Sequence, residues 1–230
     1  MKAGLAAIMT VLVASAPAKA QEWFAPGYFD NWAFNNHAAE VLRRSHKQIF
    51  GEDVEETLRS RHPAEKSAPP APIIAGDAVQ RIARQLSNSF PAGDRDKARR
   101  MFVDLYGKYG QLERQLRVRP GDPAGATAAL IAASYMAFAD ADLGDAAFRS
   151  LYAQLRAPVA AVQVDASAAE AHVTMAILAT YLAAMREALK AHPDPTRSAA
   201  LRNAGGNYLR ALLGVDPERV RLGPKGLDLL

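Results

Sequence analysis

The residues able to do chemistry in this chain are few and widely spaced. Its histidines are His37, His46, His62, His172 and His192. None forms an H-E-x-x-H pair or another i, i+4 pair, the spacing that sets two imidazoles on one helix face for zinc. His37 and His46 are nine residues apart and fall on different faces of one helix. His172 alone stands within an apolar run, where a histidine is more often a satisfied core or helix-end residue than a ligand or base. Asp140, Asp142 and Asp145 open like a calcium loop, but Leu151 occupies the position that would need a bidentate glutamate. Capping and solvation account for these acids.

Nucleophiles are equally scarce. Ser134 sits inside a buried helical run and not on a strand-to-helix elbow, which excludes G-x-S-x-G chemistry. No glycine-rich phosphate loop is present. The absence of cysteine removes thiol nucleophiles, thiolate metal sites, a lipid-modified N-terminal cysteine and disulfides. A pair of catalytic carboxylates could come from distant positions, yet Glu170, Glu187 and Asp194 stand where caps and solvated faces expect them. The residues therefore name no catalytic group, no cofactor and no metal site. Tyr106, Tyr109, Tyr135, Tyr181 and Tyr208 lie on helices expected to pack together; they read as core, with a shared pocket as the alternative.

The elements that must position these groups are helical. Residues 1–20 read as a secretory signal: Lys2, an apolar run from Leu5 to Ala16, and Ala18-Lys19-Ala20 as the cleavage site. Residues 21–72 hold an aromatic arm, a helix over Asn36–Phe50 and a Pro-rich linker. The arm carries Trp23, Phe24, Tyr28, Phe29, Trp32 and Phe34, a set suited to docking a partner or to sealing the core. Residues 73–230 form the main domain. Helices are expected after Asp77, after Asp94 or Asp96, over Pro123–Ala139, after Asp145 until Pro158 interrupts, over Ala171–Met185 behind a Ser167/Glu170 capping box, and from Pro195 to Gly214. Asp216-Pro217 begins a short terminal turn ending near Leu222, and no strand alternation competes. The fold class is all-α, a compact bundle of about six helices around two Ala-rich central helices, Pro123–Ala139 and Ala171–Met185. Gly205-Gly206 in mid-helix costs about 1–2 kcal/mol against alanine, so close contact with the Ala-rich helix is expected there.

Four stretches carry a family resemblance: MFVDLYGKYGQLERQL, PGDPAGATAALIAASYMAF, MAILATYLAAMREAL and NYLRALLGVDPERVRLGPKGL. Across about Asp77 to Leu227 the chain resembles an uncharacterised family of exported bacterial proteins defined by a domain of unknown function. The resemblance implies a helical exported domain and supplies no functional residue.

Charge and compartment narrow the function. Loss of Lys2 and Lys19 with the signal takes the formal charge from +4 to +2, with no block of like charges, which gives no support to nucleic-acid or polybasic membrane binding. The mature chain is expected to contain no transmembrane segment, and to be periplasmic or secreted. The leading expectation is a non-enzymatic binding protein whose partner is another protein or an envelope component. The alternatives are a carrier of a small hydrophobic ligand in an inter-helix pocket and a hydrolase of envelope polymers.

Overall fold

The computed structural model of the protein describes residues 36–59 and 71–230. The segment 1–20 read as a signal, the six aromatic residues of the arm, His62 and the centre of the Pro-rich linker lie outside the described residues. Eight α-helices follow in order: α1 (Asn36–Phe50), α2 (Val54–Arg59), α3 (Ala78–Ser87), α4 (Arg95–Leu116), α5 (Pro123–Ala139), α6 (Asp145–Ala160), α7 (Ala166–Ala191) and α8 (Pro195–Leu213). An antiparallel hairpin closes the chain, β1 (Val220–Gly223) and β2 (Gly226–Leu229), with Val220 opposite Leu229 and Gly223 opposite Gly226. The all-α class stands, with eight described helices where six were expected.

The fold is wrapped around α5. Asp122 caps it by accepting the Ala124 N–H at 2.9 Å, and Pro123 fills the first helical position. Thirteen of its 17 residues are buried, so it has no solvent face. Helices α7 and α8 supply its closest neighbours. Small residues make this possible. A Cβ on Gly205 of α8 would lie 2.5 Å from the Ser134 carbonyl oxygen and 3.0 Å from the Ala137 Cβ. The backbone of α8 therefore rests directly on α5, which accounts for the glycine pair. Helix α7 is long and apolar enough to cross a bilayer, and 78% of its most apolar window is buried inside the fold.

Several helix ends differ from expectation for local reasons. The Ser167/Glu170 capping box does not form. Asp165 caps α7 instead, accepting the Ala168 N–H at 2.9 Å. Ser167 and Glu170 both face α1, where Arg44 reaches the Ser167 hydroxyl and the Glu170 carboxylate, each at 3.3 Å; His37 lies 3.4 Å from Glu170. Gly144, not Asp145, holds the N-cap of α6. Pro158 falls in the last turn of that helix and does not interrupt it.

The expected terminal turn is a hairpin because α6 supplies a docking partner. The Gln154 amide donates to the Leu227 carbonyl at 3.0 Å and accepts the Leu227 N–H at 2.7 Å, satisfying the outer edge of β2. The Ser150 hydroxyl adds a bond to the Pro224 carbonyl. Arg219 pairs with Glu55, tying the hairpin to α2.

The packing at Gly205 predicts two opposite outcomes for glycine-to-alanine changes. Gly205→Ala should destabilise by about 1–3 kcal/mol, since the new methyl meets backbone. Gly107→Ala, with nothing within 4 Å of the new methyl in α4, should stabilise by about 0.5–1 kcal/mol. Urea unfolding of both variants checks the pair.

Candidate functional site

A cavity of about 110 Å³ lies where α1, α5, α6 and α7 converge under the extended segment around Ile73. Helical spacing builds each wall. Ala168, Ala171, His172 and Met175 share one face of α7, Ser45, Gln48 and Ile49 one face of α1, and Pro123 and Thr127 adjoining turns of α5. The end of α6 and the loop after it close another side, reaching Val164, which is 49% exposed and marks the mouth. Among the described residues, none that lines the cavity is an Asp, Glu, Lys or Arg.

The two hydroxyls in this wall are already committed. The Ser45 hydroxyl donates to the Val41 carbonyl at 2.9 Å. The Thr127 hydroxyl lies 2.9 Å from the Pro123 carbonyl and 3.4 Å from the Met175 sulfur. His172 differs. It is 2% exposed, and its Nδ1 is enclosed without a hydrogen-bond partner. The rings of Tyr106 and Tyr109 meet it edge-on at centroid distances of 6.3 and 6.0 Å. Burial lowers its pKa to about 4 against the opposing pull of Asp122, so the imidazole is neutral at pH 7.

Behind this histidine lies a knot of buried acids and phenols at the start of α5. Asp122 is fully buried; besides the Ala124 N–H it accepts the Tyr152 hydroxyl of α6 at 2.6 Å. Burial, and then the bond to Asp122, pushes the Tyr152 phenol up to about 12. Glu113 of α4 accepts the Gly121 N–H at 3.0 Å. Burial raises its pKa to about 7; the Gly121 bond and Arg114 oppose this, and Asp122 adds to it. Burial and Glu113 in turn raise Tyr106 and Tyr109. The same loop holds the cavity's cover: Gly121, at φ +71°, accepts the Ile73 N–H at 2.7 Å, and a Cβ on it would lie 2.6 Å from the Ile73 oxygen. Neither Glu113 nor Asp122 lines the cavity.

A second groove of about 460 Å³ lies between the ends of α5 and α7 and the start of α8. Two of its cations are paired with acids, while the third, Arg202, lies over the Phe138 ring at 5.4 Å from the centroid. Arg186 meets Asp142 at 2.6 Å and Asp140 at 3.7 Å, while Lys190 meets Asp142 at 3.0 Å and Glu187 at 3.1 Å. The two cations hold the Asp142 carboxyl below its usual range. These acids pin the α5–α6 loop to α7, and no group of three or more His, Asp or Glu side chains able to hold a metal occurs among the described residues.

Of the described residues singled out in the sequence, His172 lines the first cavity and Asp140 the second groove. His46 Nδ1 donates to the Leu212 carbonyl, 3.1 Å away, and its ring lies tilted against Phe50 at 5.8 Å between centroids. Tyr109, Tyr181 and Tyr208 are core residues, as their stripes indicated, and Tyr106 and Tyr135 are half-buried. The Tyr208 hydroxyl is enclosed without a partner. Tyr152 and Glu113 were the unforeseen members of the knot. Glu113 lies in the last turn of α4 among charged neighbours that read as a solvated face, and no local signal distinguishes it from them.

The fold and the cavity define an all-α protein with an uncharged pocket between helices. The chain belongs to a family of unknown function, DUF6683, whose model matches residues 2–230, including the arm and linker beyond the resemblance at 77–227. No curated protein and no solved structure matches it.

The two perturbed groups give opposite pH slopes. The folded protein keeps a proton on Glu113 up to about pH 7, while the unfolded chain releases it near 4.5. Between those values the folded state binds more protons, so stability falls as pH rises. For His172 the unfolded chain takes up a proton below 6.5 and the folded one only near 4, so stability rises with pH across that window. Relative to the native chain, Glu113→Gln should gain stability as pH rises from 4.5 to 7, and His172→Phe should lose it from 4 to 6.5. Urea unfolding at four pH values measures both; curves parallel to the native one contradict the assignment.

Proposed function

We propose that this protein is a non-enzymatic binding protein that holds a small apolar ligand in the cavity between α1, α5, α6 and α7. One observation carries the reading: a largely apolar pocket without a charged wall residue, floored by a buried histidine with unspent hydrogen-bonding capacity. Small-molecule sites are built this way, from apolar walls and a few placed polar groups. A hydrolase would need facing carboxylates in a cleft. The buried acids Glu113 and Asp122 do not line the pocket, and the acid in the second groove, Asp140, is paired with Arg186. The proposal includes export: residues 1–20 have the order of a signal, and the site of action is then the periplasm or the medium.

Native mass spectrometry of protein purified gently from its own host tests the reading. A bound mass is expected, and it should be reduced in Ala171→Leu, which narrows the cavity. A clean apo mass in both would overturn the carrier reading.

The aromatic arm supports a second, compatible role. Trp23, Phe24, Tyr28, Phe29, Trp32 and Phe34 are the residue types that anchor interfaces with a protein or envelope component. Removing residues 21–35 alone, which keeps α1 in the core, should abolish partner recovery by pull-down, and retention of every partner would count against docking by the arm.

A further inference from the structure

We propose that the ligand of this cavity is an uncharged molecule with a short apolar body and one hydrogen-bonding group, the latter placed against His172. This inference rests on the pocket reading above and narrows it to a chemical class.

Charge decides the class. A charged ligand head must be paired when it leaves water, because an isolated buried ion costs far more than a buried neutral group. Among the described residues the wall offers nothing to pair it with: no lysine or arginine for an anion, no aspartate or glutamate for a cation. The surroundings also disfavour each sign separately. For an anion, buried Asp122 caps the helix whose first residue, Pro123, lines the cavity. For a cation, His172 itself is informative: its ring resists protonation even with Asp122 favouring the charge.

Geometry fixes the orientation and the size. The floor is His172, nearly closed to solvent, and the mouth is Val164, half exposed. Ser45 and Thr127 have already placed their hydroxyl protons on backbone carbonyls. His172 therefore stands out in the wall as a deeply buried group with an unpartnered polar atom. The ring–Cβ torsion of a histidine is broad, so a modest turn offers that capacity to the cavity. A neutral imidazole serves either a hydroxyl or a carbonyl, depending on its tautomer. The volume of about 110 Å³ is somewhat below that of an engineered apolar cavity of roughly 150 Å³ that binds benzene. A body of fewer than six carbons therefore stays inside, and the end of a longer chain extends past Val164.

Three probes of matched length test this on the native protein: 1-hexanol, hexanoate and hexylammonium, titrated at pH 7 and followed by the NMR signals of His172 and the Met175 methyl. Hexanol should bind with a Kd at least tenfold lower than either ion, and His172→Phe should weaken hexanol about tenfold. Equal or tighter binding of hexanoate or hexylammonium would overturn the uncharged class and leave the pocket reading standing. No shift with any probe would overturn both. Hexanol binding unchanged in a folded His172→Phe would remove the histidine from the proposal. If that variant fails to fold, the comparison of the three probes decides alone.

Discussion

The contact on which the structure depends is the backbone-to-backbone approach of α8 to α5 at Gly205. A helix with no polar face must be covered on every side, and a run of alanine offers little side-chain area for each covering helix to bury. Closeness compensates. With no Cβ at Gly205, dispersion contacts form at the Ser134 carbonyl and Ala137, and α7 closes the opposite side with its own small residues. Around this trio the larger side chains Phe102, Phe148, Leu105 and Leu112 fill what remains.

The two acids buried among the described residues, Glu113 and Asp122, gather at one end of α5. The N-terminus of α5 presents unpaired N–H groups that need an acceptor, and Asp122 supplies one at the cost of burying a carboxylate. Tyr152 offsets part of that cost through its hydroxyl. Glu113 does the same for the Gly121 N–H, and Gly121 in turn holds the Ile73 segment over the cavity. The pocket and the acid knot are therefore two sides of one construction. The knot fixes the loop and its cover; the cavity on the other side stays free of charge.

Much of the fold was legible in single residues. Asp122-Pro123 marks the start of α5, Asp194-Pro195 that of α8, and Gly214 its end, because caps and prolines act locally. The glycine pair announced a close helix contact before its partner was placed. What stayed hidden depends on distant residues. Ser167 and Glu170 have the spacing of a capping box, but Arg44 and His37, more than a hundred positions earlier, engage them and Asp165 takes the cap. The hairpin of Val220, Leu222, Leu227 and Leu229 is too short for its alternation to register, and Gln154, far upstream, holds it. The cavity itself needs four helices and an extended segment to meet, which no local pattern announces. His172 was visible as an oddity in an apolar run; its neutrality and its unpartnered nitrogen came only with the burial.

The most direct test of the account is the ring of His172 itself. Nitrogen NMR of gently purified protein, before and after ligand is stripped by unfolding and refolding, reads its protonation and its hydrogen bonding together. The account predicts a ring that stays neutral down to about pH 5 in both states and whose nitrogen shifts change when the ligand leaves. A ring that titrates near 6.5, or one whose signals are identical in the two preparations, would contradict it.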